Sequence, residues 1–99
     1  MICVIATIEV APGRRDDLLA VVANLVPQVR AEQGCIEYGP TIDVPSNLAA
    51  MRPNVVTMIE KWESVAALEA HLGTPHMAEF RRQTADMRLN LSLQVVEPA

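Results

Sequence analysis

Apolar and polar residues alternate in four stretches of the chain and recur at helical spacing in three others. The first alternating stretch, Ile2–Val10, carries apolar side chains on both faces and predicts a strand that is covered on both sides. A turn at Pro12 and Gly13 ends it. An amphipathic helix is predicted next, up to Gly34, and Pro27 predicts a kink within it. Its apolar face consists of Leu18, Val21, Val22, Leu25 and Val29.

The middle of the chain predicts two further strands separated by the longest connection. Residues 35–43 form the second strand, and Gly39 and Pro40 within it indicate an edge position or a bulge. Residues 44–53 are predicted to be a plain loop, with a mobile lid as the alternative. Residues 54–62 alternate again and predict the third strand.

The last third of the chain predicts two short helices and a final strand. Ser64 is the predicted N-cap of the first helix, and Gly73 ends that helix. Pro75 opens the second helix, which is predicted to run from residue 76 towards residue 87. Residues 89–96 alternate as the fourth strand, with these side chains predicted to face inward: Leu89, Leu91, Leu93 and Val95.

This order predicts an α+β fold, a ferredoxin-like βαββααβ sandwich with an antiparallel four-stranded sheet and helices on one face. Residues 1–99 are predicted to form a single domain. On the opposite face, strands one and four are predicted to carry several Val, Leu, Ile or Thr side chains. Because such a face is too apolar to stay in water, we expect a homodimer that packs sheet against sheet.

Composition excludes several classes of partner. Eight basic and twelve acidic residues give a net charge of −4, without the basic clusters that neutralise phosphates, so nucleic acid is not expected. No apolar run is long enough to span a membrane and the start lacks a basic region, which predicts a cytoplasmic protein. Cys3 and Cys35 are far apart in sequence and are predicted to be reduced, buried thiols.

Residues 54–80 gather both histidines, the single tryptophan and the single phenylalanine of the chain. The sequence resembles the antibiotic biosynthesis monooxygenase domain family over nearly its whole length. The residues that carry the resemblance, besides the ProGly turn after the first strand, are Glu32, Gly34, Cys35, Glu37, Tyr38, Glu60, Trp62, Glu63, Ser64, Ala67, Leu68, His71, Pro75, His76 and Phe80. The resemblance implies a dimeric α+β barrel with a pocket between sheet and helices.

The same resemblance bears on cofactors and substrate. Members of the family include monooxygenases that oxidise quinols or polycyclic phenols without flavin or metal, so no cofactor is expected. Haem-degrading relatives have an Asn, a Trp and a His where this chain has Thr7, His71 and Arg81, which argues against haem. The connection between Tyr38 and Asn54 is several residues longer than in the commonest members, which indicates a remodelled pocket rim.

His71 and His76 are the candidate catalytic bases, because imidazole titrates near neutral pH and can take a phenolic proton. The alternative is that both are hydrogen-bonded structural histidines. They are five residues apart, or about 140° around an ideal helix, so no shared metal site is expected.

Seven further positions are candidates for substrate contact, and four of them have a structural alternative. Glu60 is expected to form a salt bridge with Arg81 or Arg82, or else to orient His71. Trp62 lies on the same strand face as Glu60 and is expected to pack at the strand end or to form a pocket wall.

Tyr38 is a candidate hydrogen-bond donor to a quinone oxygen, or a dimer contact. Asn54 could polarise a carbonyl, although its place beside Pro53 favours turn chemistry. The remaining candidates share an adaptable apolar side chain suited to lining a pocket: Met58, Met77 and Phe80.

These observations favour cofactor-free oxygenation of a small aromatic substrate, in which a base deprotonates a planar quinol or phenol in a dry pocket. Two alternatives use the same pocket. One is a non-catalytic small-molecule-binding or stress-response accessory protein, and the other is an isomerase of a small oxygenated metabolite.

Overall fold

The computed structural model describes all 99 residues and contains one antiparallel sheet with three helices. The strands pair in the order β2-β3-β1-β4. The elements are β1 (Ile2–Val10), α1 (Arg15–Arg30), β2 (Cys35–Thr41), β3 (Val55–Trp62), α2 (Val65–Leu72), α3 (Pro75–Thr84) and β4 (Arg88–Val96). This confirms the predicted α+β, ferredoxin-like βαββααβ fold.

β1 and β3 are the two central strands of the sheet, and their sequences show the clearest alternation. Val4 and Ala6 of β1 and Met58 of β3 are buried beneath the helices. Ile5 and Ile59 lie opposite each other on the face that carries no helix and are half-buried. In a central strand, side chains of both neighbouring strands lie beside its own on each face. Apolar residues on the helix-free face are therefore partly covered.

α1 covers the sheet with its apolar face and carries Asp16 and Asp17 in its first turn, near the positive end of the helix dipole. Its buried residues are Leu18, Val22, Leu25 and Val29. The helix continues past Pro27 to Arg30, and the Ala31 amide still donates to the Pro27 carbonyl at 3.3 Å. The predicted apolar face is therefore confirmed.

β2 is an edge strand with an irregular register between Cys35 and Glu37, as Gly39 and Pro40 predicted. It ends at Thr41, two residues before the predicted boundary. The long connection spans residues 42–54 and is tied by Asp43, which accepts from the Arg52 backbone amide at 2.9 Å and from its Nε at 2.8 Å.

β4 departs from its prediction. Leu91 and Leu93 pair opposite Ile8 and Ala6, so they do lie on the helix side of the sheet. The helices cover this edge only in part, however, because the two side chains are 47% and 51% exposed. The opposite face of β4 carries Asn90, Ser92, Gln94 and Val96, so the expectation of an apolar fourth strand on that face was wrong.

The C-terminal helix also ends earlier than predicted. α3 stops at Thr84, and residues 85–87 form a turn that places Met87 in the core. Both thiols, Cys3 and Cys35, are free and half-buried. No helix has the length and apolar character needed to cross a bilayer.

Candidate active site

The site is built around the break between α2 and α3. The Ser64 hydroxyl caps α2 by accepting from the Ala67 amide at 3.1 Å, and Gly73 ends that helix, as predicted. The Thr74 hydroxyl then caps α3, and Pro75 occupies its first position. The two histidines therefore belong to different helices, so the angle expected along one ideal helix does not apply to them.

Glu32, in the turn after α1, lies between the two imidazoles. Its Oε2 is 2.8 Å from His71 Nδ1 and 2.8 Å from His76 Nε2. The His71 side chain is 2% exposed, Glu32 12% and His76 20%, so the contact is largely shielded from solvent. An ionised carboxylate only accepts hydrogen bonds, so each imidazole donates to Glu32. Neutral His71 then carries its proton on Nδ1 and a lone pair on Nε2.

Gly34 brings the turn that carries Glu32 close to α2. Its φ is +86°, and its carbonyl accepts from the Glu63 amide at 2.9 Å. A Cβ at this position would lie 2.6 Å from the Cβ of Ala67. Only glycine permits both the backbone conformation and the close approach, and this approach places Glu32 against His71.

His71 is held in a fixed orientation by two aromatic rings. The Trp62 ring is tilted against it at 4.7 Å, and the Tyr38 ring meets it edge-on at 5.5 Å. Trp62 is fully buried and does not line the cavity described below, which favours the packing alternative for it.

Glu60 makes its hydrogen bond to Trp62, whose Nε1 donates to Oε1 at 3.0 Å. The salt bridge expected with Arg81 or Arg82 is not formed, because Arg82 pairs with Glu79 and Arg81 donates to a helix carbonyl. Burial raises the pKa of Glu60, and the bond from Trp62 opposes that rise.

An apolar cavity opens between the sheet and the two short helices and holds about 640 Å³ of space, including its mouth. The lining residues come from six of the seven elements, all except α1. They are Val4, Ala6, Ile8, Tyr38, Met58, Glu60, Leu68, His71, Leu72, Met77, Phe80, Arg81, Arg88, Leu91 and Leu93. The cavity thus contains six of the predicted site residues.

Three polar groups converge in this apolar space: His71 Nε2, the Tyr38 hydroxyl and the second carboxyl oxygen of Glu60. Each lacks a hydrogen-bond partner in the protein. Fully buried side-chain atoms without a partner occur only on Arg15 and Thr57, so these three atoms are not fully buried. All three are therefore reachable from the cavity. Burial raises the pKa of Tyr38, and the charges of Glu60 and Glu32 add to the rise, so its hydroxyl remains a donor.

Arg81 and Arg88 stand at the mouth of the cavity. The Arg81 side chain turns back to donate to the Leu72 carbonyl at 3.1 Å. Arg88 donates to the Thr84 hydroxyl at 2.9 Å. Two cations beside an apolar space favour a ligand that is, or becomes, negatively charged.

The structure leaves two other predicted residues outside the cavity. His76 faces the groove between α1 and α3, and its one hydrogen bond is to Glu32. Asn54 sits in the turn before β3, and its Oδ1 accepts from the Gly13 amide at 3.3 Å, which supports the turn alternative. The long connection contributes nothing to the lining, so the alternative of a lid has no support here.

Sequence reasoning missed the role of Glu32, which was noted only as part of the family resemblance. Together with the two histidines it places three potential metal-ligand atoms within 4.8 Å of one another. No periodicity marks such a contact, because it depends on the helix break and on the close approach at Gly34.

Comparisons with known proteins show the family and the fold of the chain. Residues 1–83 match the family described as antibiotic biosynthesis monooxygenase. A protein of Escherichia coli K12 named "Probable quinol monooxygenase YgiN" is 38% identical over 102 residues, which cover 99% of this chain and 98% of the relative.

Two solved structures show the same fold. The crystal structure of PA3566 from Pseudomonas aeruginosa has a TM-score of 0.83 and 32% identity, covering 99% of this chain and 93% of that one. Rv0793 from Mycobacterium tuberculosis has a TM-score of 0.83 and 25% identity, covering 99% and 94%.

Proposed function

Because this chain belongs to the antibiotic biosynthesis monooxygenase family, we propose that it oxygenates a planar quinol or polycyclic phenol without a bound cofactor. The name of the Escherichia coli relative supports the quinol class of substrate. The single observation that carries the proposal is the position of His71, whose Nδ1 lies 2.8 Å from Glu32 Oε2 and whose side chain lines an apolar cavity.

His71 acts as the base in this proposal. Its Nδ1 is tied to Glu32, so Nε2 presents a lone pair to a phenolic hydroxyl. When His71 takes the proton it becomes a cation, and the carboxylate 2.8 Å away stabilises that cation in a nearly dry site. His76 supports the same carboxylate but does not face the cavity, so the base is assigned to His71.

The cavity also suits the anion that deprotonation creates. Arg81 and Arg88 at the mouth favour a phenolate over the neutral phenol. The electron-rich anion gives an electron to O₂, and the two radicals combine into a carbon-bound peroxide anion. Protonated His71 returns its proton to this anion, which forms a hydroperoxide. That hydroperoxide loses water and leaves one oxygen atom on the ring as a carbonyl. Apolar walls keep bulk water away from the intermediates.

Tyr38 and Glu60 are assigned to substrate orientation. Both reach the cavity from neighbouring strands, and Tyr38 also contacts the His71 ring. A hydroxyl donor beside the base can bond a second ring oxygen, which would select substrates with two oxygens. The apolar faces of the ring would pack against Met58, Met77 and Phe80.

Oxygen uptake with a panel of quinols tests the proposal. His71→Asn keeps a donor for Glu32 and removes the base, so uptake should fall by about 10²-fold or more with little change in KM. Glu37→Gln, on exposed β2, is the matched control and should behave as wild type. Added imidazole should restore part of the activity of His71→Ala. Tight quinol binding without uptake would point to a binding protein instead.

We also propose that the chain forms a homodimer through its sheet. Cys3, Ile5 and Ile59 form an apolar, half-buried patch on the helix-free face. Burying these side chains would remove apolar surface from water. Light scattering at low micromolar concentration should give about twice the chain mass of 10.8 kDa, and a clean monomer would contradict the proposal.

A further inference from the structure

The proposed oxidation uses Glu32 to orient His71 but leaves His76 without a role. His76 lies outside the cavity, and its only hydrogen bond runs from Nε2 to Glu32 Oε2 at 2.8 Å. Two imidazole nitrogens and one carboxylate oxygen therefore lie within 4.8 Å of one another. Two imidazoles sharing one largely buried carboxylate oxygen are also a metal-ligand set.

The ligand types indicate which cations would fit. Imidazole nitrogen with one carboxylate suits zinc and the other late first-row divalent ions, whereas magnesium and calcium prefer oxygen ligands. Three protein ligands leave a fourth position open. Ligand atoms at about 2.0–2.2 Å from one ion lie roughly 3.3 Å apart in a tetrahedron. Each nitrogen would therefore need to draw back about half an ångström from the carboxylate oxygen, now 2.8 Å away. The two nitrogens lie within 4.8 Å of each other, so they would close by at most about 1.5 Å.

The three side chains are also held in place by packing. His71 lies against Trp62 and Tyr38, and the carbonyl of His71 accepts from the Thr74 hydroxyl at 2.9 Å. Glu32 is fixed by the close approach of Gly34 to α2. Because the ligands are already shielded and assembled, binding would order few additional groups.

We propose that Glu32, His71 and His76 bind one zinc-type divalent cation, with an open position towards the groove between α1 and α3. Bound through Nδ1, neutral His71 must carry its proton on Nε2, which faces the cavity. The imidazole then donates instead of accepting, so the ion would compete with its use as a base. This competition rests on the proposed function, whereas the binding itself does not.

Calorimetric titration of chelator-treated protein with zinc chloride tests the binding. We expect one ion per chain. Glu32→Gln and His76→Ala should each weaken binding by about 10-fold or more, since even outer-shell changes cost that much. Glu37→Gln controls for the loss of a carboxylate and Cys35→Ser for adventitious thiol binding, and both should bind as wild type. Circular dichroism confirms that each variant is folded.

Crystals grown with zinc should show an anomalous peak between the three side chains. The metal site is contradicted if wild type does not bind one ion per chain, or if Glu32→Gln and His76→Ala both bind zinc as wild type does. Neither result would affect the oxygen-uptake test of the proposed function. Saturating zinc should also suppress quinol-dependent uptake by wild type, and chelation should restore it. Uptake unaffected by bound zinc would overturn the competition.

Discussion

Gly34→Ala tests whether the close approach of the turn after α1 to α2 is needed for the fold and the site. Two separate effects oppose an alanine there. The backbone has a φ of +86°, and the new Cβ would lie 2.6 Å from the Cβ of Ala67, which belongs to a helix and cannot rotate away. Gly13 provides a matched control, because its φ is +81° but a Cβ added there would meet no atom within 4 Å.

The magnitude follows from adding the two effects. A left-handed backbone costs a non-glycine residue about 1–2 kcal/mol, and this cost applies to both variants. Forcing an extra methyl into a packed contact costs about 1–3 kcal/mol more, and it applies only to Gly34→Ala. We therefore expect Gly34→Ala to lower the free energy of unfolding by about 2–5 kcal/mol, against about 1–2 kcal/mol for Gly13→Ala.

Urea denaturation of both variants measures the difference, and thermal melting should show Gly34→Ala at least about 10 °C below wild type. Ala67→Gly removes the atom that the new methyl would meet, so in that background the cost of Gly34→Ala should fall to that of Gly13→Ala. The reasoning is refuted if the two glycine variants lose equal stability, or if Ala67→Gly leaves the cost unchanged.

Three further variants probe the site and its frame. Glu32→Gln should reduce oxygen uptake by about 10²-fold at unchanged KM, because an amide no longer fixes the His71 tautomer; wild-type uptake would contradict this. Burial raises the pKa of Glu60, so the folded state holds that proton more tightly than the unfolded chain and wild-type stability falls as pH rises past the ordinary glutamate value. The unfolding free energy of Glu60→Gln, minus that of wild type, should therefore rise between about pH 4 and pH 8, and a constant difference would count against it. Ser64→Ala should cost about 1 kcal/mol by urea denaturation, with loss of the bond to the Ala67 amide.

The fold was predictable because its determinants are local. Alternation in Ile2–Val10, the cap at Ser64 and the helix start at Pro75 depend on neighbours in sequence, and the structure bears them out. β4 shows where local reasoning stops. Leu91 and Leu93 alternate as a strand should, but whether a helix covers them depends on the position of β4 at the sheet edge.

The candidate site was predictable only in part, for the same reason. His71, Tyr38 and Glu60 were found from their chemistry and from the family resemblance, and all three reach the cavity. The partner of Glu60 was predicted wrongly, because a strand residue two positions away, Trp62, offers a donor at 3.0 Å. Glu32 is separated from His71 by 39 residues, and no spacing rule relates them.

The break between α2 and α3 determines both the fold and the site. A single helix through this region would turn His71 and His76 about 140° apart, so that only one of them could reach a given carboxylate. Pro75 cannot donate to the preceding turn, and Thr74 caps the new helix, so a second axis begins there. That change of axis allows both rings to meet Glu32 at 2.8 Å. In the HisLeuGlyThrProHis segment, the change of helix direction is therefore as important for the site as the two imidazoles.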